Sequence, residues 1–283
     1  MKKYILLSAV LVSLVLSTAC TIDVGGDRVN FDGNISVDKG STLKEEKNIG
    51  RNAADIEKLE LKNTAGNISI KTTSSEDISI KVIKNVKSTD ENVKAKILQN
   101  MDVAVIADRK KLSVYPVTAD GKKNDLWKWV EQQYKGAQVS IDFEVEVPEH
   151  IKFYTIKGNA GNINMESVTG QVTIEQNAGN VDLKDVKLNG TSDINVNAGM
   201  VTIDADIGKA DKLAVSNTAG QIRMILPADS GFDLEAKITA GNIGGSFLSG
   251  SKLNSGTLKQ QINGGGTKVI VTTVAGNVTI DSK

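Results

Sequence analysis

Along most of the chain, apolar and polar residues alternate in short runs, and the alternation changes phase at a recurring glycine. Ahead of Gly220 the apolar residues Leu213 and Val215 fall at odd distances from it, whereas Ile222 and Met224 follow at even ones. Leu234 and Ala236 stand in the same relation to Gly241. Val181 and Leu183, Val201 and Ile203, and Val278 and Ile280 follow Gly179, Gly199 and Gly276 as Ile222 and Met224 follow Gly220. A period of two is that of a strand with one buried face. A straight strand across the glycine would send half of these side chains into water, so a corner or bulge is needed there to return them to one interior. Glycine suits the corner because it meets no Cβ penalty at positive φ.

The glycine sits in a phrase. Thr64-Ala65-Gly66-Asn67-Ile68, Asn159-Ala160-Gly161-Asn162-Ile163, Asn177-Ala178-Gly179-Asn180-Val181 and Asn197-Ala198-Gly199-Met200-Val201 are versions of it. So are Thr218-Ala219-Gly220-Gln221-Ile222, Thr239-Ala240-Gly241-Asn242-Ile243 and Val274-Ala275-Gly276-Asn277-Val278. From Gly161 to Gly241 the glycines follow at intervals of 18, 20, 21 and 21 residues, with a weaker half-step at Thr169-Gly170-Gln171-Val172. Strand, corner and strand at this period predict an all-β chain: a β-solenoid or β-helix built from ~20-residue Ala-Gly-Asn repeats. A sandwich of independent hairpins would not need the same corner each time. Asn67, Asn162, Asn180, Asn242 and Asn277 read as a ladder that satisfies backbone groups at successive corners, the other reading being a glycan-contacting stripe.

The period breaks between Gly66 and Gly161, where residues of about 85–150 predict a small α+β interruption. Asp90 to Asn100 suits a short helix with Val93, Ile97 and Leu98 on one side. Met101–Ala107 and Leu112–Tyr115 suit a strand pair around Asp108–Lys111, and Val139–Val147 a further strand. Between them, Asn124 or Asp125 can cap a helix reaching about Lys135. The aromatic residues Tyr115, Trp127, Trp129, Tyr134, Phe143, Phe153 and Tyr154 all fall in or beside this interruption, not along the repeats. On the second helix Leu126, Trp127, Val130 and Tyr134 share an arc with Trp129 on its flank. Trp127, Trp129 and Tyr134 are therefore the candidate partner surface, and capping of the first coil is the plainer role for the same face.

The N-terminus sets a compartment. Lys2 and Lys3 precede the apolar run Ile5–Leu16, and Ser17-Thr18-Ala19 brings small residues up to Cys20. This is the layout of a signal peptide over residues 1–19, too short to span a bilayer of ~30 Å. Cys20, the single cysteine, resembles the lipidated residue of a bacterial lipobox, although Ser17 stands where that motif prefers an aliphatic side chain. The resemblance implies a palmitate-type lipoprotein anchored to the cell membrane and facing outside the cytoplasm. Two or more acyl chains are enough for stable anchoring. The polar residues from Cys20 to about residue 50 read as a tether, with the repeat domain over residues 51–283.

Charge excludes one class. With Lys2 and Lys3 removed, 32 basic residues face 34 acidic ones, which leaves no electrostatic footprint for nucleic acid. The lone His150 has no second histidine or free cysteine for a zinc site and reads as a solvent-facing loop residue. Asp182, Asp185, Asp193, Asp204, Asp206 and Asp211 lack the Gly-Gly-x-Gly-x-Asp pattern of calcium solenoids and read as a solvated face. No cofactor, metal or catalytic residue is expected. The Ala-Gly-Asn-Ile/Val phrases, Ile56–Leu61 and Val145-Glu146-Val147-Pro148 resemble the bacterial adhesin-type family of β-strand-repeat domains, the domain of unknown function numbered 4097. The resemblance covers roughly residues 51–283 and implies a surface-associated, non-catalytic β-repeat lipoprotein without assigned site residues. A cell-wall glycan or an envelope protein is the expected partner class. A carbohydrate-active β-helix enzyme and an accessory to envelope-stress signalling are the alternatives.

Overall fold

The structure, a computed structural model, describes residues 20–24, 27–37, 42–120, 125–248 and 254–283, so the signal-peptide reading lies outside the described residues. The N-terminal strands are β1 (Cys20–Val24), β2 (Asp27–Val37), β3 (Thr42–Asn52), β4 (Lys58–Ala65), β5 (Ile68–Thr73) and β6 (Asp77–Lys87). The interruption carries α1 (Glu91–Asn100), β7 (Met101–Asp108), β8 (Lys111–Thr118), α2 (Leu126–Gln133) and β9 (Gln138–Pro148). Next come β10 (Phe153–Ala160), β11 (Ile163–Glu166), β12 (Thr169–Ala178) and the long β13 (Val181–Leu226). The chain closes with β14 (Phe232–Ala240), β15 (Ile243–Gly244), β16 (Gly256–Ile262), β17 (Thr267–Ala275) and β18 (Val278–Ser282).

The chain is nearly all β and solenoid-like. The segments before each phrase lie side by side in parallel, with Ala65, Ala160, Ala178 and Ala198 in register. The segments after it form a second parallel ladder, in which Ile68, Ile163 and Val181 align. The phase change is a corner. Gly66, Gly161, Gly179, Gly199, Gly220, Gly241 and Gly276 all have φ between 118° and 151°. The residues two positions beyond the corner, Ile68, Ile163, Val181, Val201, Ile222, Ile243 and Val278, are buried in one column. Burial of each such side chain is worth about 1.5–3 kcal/mol, which makes this column a principal source of stability. The half-step at Gly170 is a second corner, with φ of 150° and no room for a Cβ against the Lys152 carbonyl.

The order of coils departs from the order of the chain. Gly161 packs on Gly66 although 95 residues of sequence separate them, and Gly179, Gly199 and Gly220 follow in turn. The next rung is Gly276, and Gly241 lies beyond it. Strand β17 is accordingly held between β13 and β14, and β18 between β13 and β15. The regular interval from Gly220 to Gly241 thus does not mean adjacency. After β15 the chain returns as β16, antiparallel to β14, and only then threads the C-terminal strands into the gap.

Residues up to 50, read as a tether, include three strands. β3 pairs with β6 along its whole length, from Thr42 opposite Lys87 to Asn52 opposite Asp77, and β2 pairs with β3. Its polar composition hides the strand, because its stabilising partners are cross-strand charges as well as core contacts. The Glu45 carboxylate lies 2.7 Å from the nearly buried Lys84 ammonium of β6, and Glu46, held by Lys44 of its own strand at 2.6 Å, reaches Lys81 of β6 at 3.4 Å.

The asparagines form a ladder. Asn162, Asn180 and Met200 donate their backbone N–H groups to the Oδ1 atoms of Asn67, Asn162 and Asn180, each at 3.0 Å. Asp142 begins it by accepting from the Asn67 N–H at 2.7 Å, and Asn277 accepts from Asn242 at 3.1 Å. Met200 interrupts it by placing a thioether, 44% exposed, where an asparagine would stand. Restoring the rung with Met200→Asn is expected to stabilise by about 0.5–1 kcal/mol, and Asn162→Ala to cost about as much. Urea midpoints measure both; an unchanged midpoint for Asn162→Ala would reduce the ladder to decoration.

Candidate functional site

The corner scheme is relaxed at one place. β8 runs parallel to β4 and β9 runs parallel to β5, so β8 and β9 form a coil of their own. Their corner is not a glycine but the segment that carries α2. Asp125 accepts from the Lys128 N–H at 3.0 Å and so caps the helix, as its position suggested. Leu126 and Val130, four residues apart on one face, are buried. The helix ends at Gln133, earlier than expected, because Tyr134 leaves helical geometry while its N–H still reaches the Val130 carbonyl at 2.7 Å.

The three aromatic candidates separate. Trp127, half-buried, donates from Nε1 to the Val139 carbonyl at 3.3 Å. Trp129 and Tyr134, also half-buried, meet edge to face with ring centroids 5.4 Å apart, and neither lines a hollow that Trp127 lines. Beside Trp127 lies a groove of about 460 Å³ lined by Tyr115 and Pro116 of β8, Lys62 to Thr64 of β4, Lys157 to Asn159 of β10, and Asp125. A second hollow of about 580 Å³ opens along Val130, Lys135 and Val139, with Trp127 common to both.

The groove has a fixed charge pattern. Glu60, on the same strand as Lys62, accepts from Lys62 at 2.9 Å and from Lys111 at 3.0 Å. These two hydrogen bonds hold its carboxyl down at about 2, so it is ionised throughout the neutral range. Lys157 binds both oxygens of Glu175 at 2.8 Å. Asn159 accepts from Asn177 Nδ2 at 2.5 Å, which leaves its own amide NH₂ as a donor.

The remaining candidates fall elsewhere. His150 is not a solvent-facing loop residue: it is half-buried, with Nε2 2.8 Å from the Ala53 carbonyl. Asp204 pairs with Lys283 at 2.5 Å, Asp206 accepts from the Gly208 N–H at 2.9 Å, and Asp193 accepts from Asn195 at 2.8 Å. These acids serve turns and ion pairs. Among the described residues no group of three or more His, Cys, Asp or Glu is arranged to hold a metal ion, and no helix is long and apolar enough to cross a membrane.

The Toastrack DUF4097 family model matches residues 29–281, which takes in the repeats, the interruption and strands once assigned to the tether. The chain belongs to the Toastrack family. Among solved structures it is similar to a candidate cell adhesion protein from Clostridium sporogenes, at 14% identity and a TM-score of 0.41 over 89% of this chain and 100% of that one. Candidate adhesins from Bacteroides fragilis and Parabacteroides merdae are also similar. Each is 13% identical, with TM-scores of 0.28 and 0.27, over 84% and 86% of this chain and 97% of each of theirs. No curated protein gives a significant match.

In this Toastrack chain, the sequence pointed to Trp127 as a candidate but not to the residues across the groove from it. Lys62 and Lys157 lie far apart in sequence, yet each stands four positions before its corner glycine, Gly66 and Gly161. Superposing the phrases gives them the same place in their coils, but only the fold makes those two coils neighbours. Tyr115 had no such signal, because it belongs to the coil without a phrase.

Proposed function

We propose that this Toastrack domain is a non-catalytic binding module, displayed on the outer side of a bacterial membrane by lipid on Cys20. Its partner occupies the groove between α2 and the β8–β4–β10 ladder. The expanded corner carries the reading. Elsewhere a glycine closes the turn, and at most corners an asparagine rung satisfies it. Here a helix stands Trp127, with Tyr115 of β8, beside Lys62, Thr64, Lys157 and Asn159. A concave surface joining aromatic faces to a few polar groups is the usual form of a ligand site. On this view the ~20-residue coils form a β-solenoid that acts as a rigid scaffold, and the insertion on it carries the specificity. Binding is favoured over glycoside cleavage, which needs two carboxylates facing one another. Among the described residues lining the groove Asp125 is the single carboxylate, and its Oδ1 caps α2.

Two substitutions test the two halves of the reading. Cys20→Ser is expected to abolish palmitate labelling and detergent-phase partitioning; partitioning that survives it would exclude the anchor. With the anchor intact, Trp127→Ala should weaken retention on washed cell envelopes about tenfold or more, as loss of an aromatic anchor does. Trp129→Ala, outside the groove, should change it little. Equal retention by both variants would remove the groove from consideration.

A further inference from the structure

We infer that the groove takes a carboxylate-bearing sugar, a uronic-acid unit of an acidic glycan. Its ring lies against Trp127 and Tyr115, and its carboxylate sits between the ammonium groups of Lys62 and Lys157. The inference rests on the binding reading above and names the ligand class for it.

The argument begins with register. Leu61 of β4 is paired with Val114 of β8, which brings Tyr115 level with Lys62; Lys62 is paired with Lys157, and Lys157 with Glu175 of β12. Four parallel strands, spaced at about 4.8 Å, therefore present the row Tyr115, Lys62, Lys157 and Glu175. Like charges directly opposite one another are destabilising. The other ladder avoids them: Glu146, Lys71, Glu166 and Lys184 alternate in sign across four strands, with ion pairs at 2.9 Å and 2.7 Å. Among the described residues, the two other lysine pairs in register, Lys58 with Lys111 and Lys212 with Lys268, do not line the groove. A local rule broken on a concave surface is where function is expected.

The existing ion pairs leave room for a third carboxylate. Lys157 is held by Glu175 on the side away from Lys62. Lys62 is held by Glu60, which Lys111 also binds, so Glu60 stays compensated when Lys62 turns toward a ligand. Both lysine side chains are about half exposed, at 53% and 42%. An anion between them completes a row of alternating sign: Lys62, ligand carboxylate, Lys157, Glu175. The Tyr115 and Trp127 rings supply apolar faces for the C–H face of a sugar, and the Thr64 hydroxyl and the Asn159 NH₂ supply polar partners for its hydroxyls. A bare anion would use the lysines and leave the rings without a role; a neutral sugar would leave the lysine pair unexplained.

A matched pair of probes separates charge from ring. Tetragalacturonate and its methyl ester share rings and linkages and differ in charge, and each is titrated calorimetrically into the full-length chain in detergent at 150 mM salt. The acid is expected to bind at least tenfold more tightly than the ester. Lys62→Gln and Lys157→Gln should each cut that preference below threefold while the melting temperature stays put, and Glu175→Gln should strengthen acid binding. Trp127→Ala and Tyr115→Ala should weaken both probes alike, with circular dichroism confirming the fold of each. Equal binding of acid and ester, both dependent on Trp127, would overturn the acidic-glycan assignment and leave the binding module standing. Acid binding that ignores both aromatic substitutions would overturn the assignment as bulk charge attraction. Binding of neither probe would also overturn it.

Discussion

Replacing Gly220 by alanine is expected to cost roughly 2–6 kcal/mol, enough to unfold much of a marginally stable domain. Two effects add. Gly220 has φ of 140°, a conformation that costs an ordinary residue about 1–3 kcal/mol. A Cβ there would also overlap the Gly199 carbonyl of the neighbouring rung. That backbone is itself fixed by the rung below, so the clash cannot be relieved by a side-chain shift, and overpacking of this kind adds about 1–3 kcal/mol. Gly199→Ala should behave alike, since it meets the Gly179 carbonyl. Gly50 makes the proper control: it lies in β3 with nothing near its missing Cβ, and Gly50→Ala should fall within about 0.5 kcal/mol of the parent. Gly256, though outside the phrase, is unsuitable as a control because its φ is 114°. Urea midpoints decide the matter; equal tolerance at Gly220 and Gly50 would mean that the coils do not stack through their corners.

Deleting Thr267–Lys283 is expected to have an effect at least as large, and it tests the coil order. The deletion removes β17 and β18 from the middle of the C-terminal stack, not from its end. Val269, Val271, Val278 and Ile280, all essentially inaccessible, are lost. At about 1.5–3 kcal/mol each their burial amounts to roughly 6–12 kcal/mol, comparable with the whole stability of an ordinary domain. β14, and β16 paired with it, would also lose the strand that lies between them and β13. Rapid proteolysis between Leu226 and Gly266, with a melting temperature lowered by many degrees, is the expected outcome. A truncated chain that melts within about 2 °C of the parent would mean that the Gly241 coil had moved one rung and closed directly on Gly220.

Much of the fold is legible because a repeat states the same local physics several times. The phase change at each Ala-Gly required a corner, and positive φ at all seven glycines meets that requirement. The asparagine after the glycine could satisfy a neighbour's backbone, and in four rungs its Oδ1 does so. Asp125 was readable as a cap because capping depends on residues two or three positions away. Where a position serves a partner distant in sequence, the reading failed. Asn63, Gln176 and Asn217, three positions before their glycines, are buried and donate to the Gly66, Gly161 and Gly199 carbonyls at the corners. In an apolar pattern they look like errors.

The sequence by itself determined that this chain is all-β, where its strands bend, and which side of each strand is buried. Those properties rest on alternation and glycine geometry, and both act within a few residues. Only the tertiary structure decided the neighbours of each coil. Every rung offers the same alanine, glycine and asparagine, so the phrases match one another almost equally well. The choice of Gly276 over Gly241 beside Gly220 follows from the antiparallel return of β16 and the threading of the last strands. The groove was decided in the same way: Lys62, Lys157, Tyr115 and Trp127 come from four separate segments, brought together by a parallel register that no local pattern specifies.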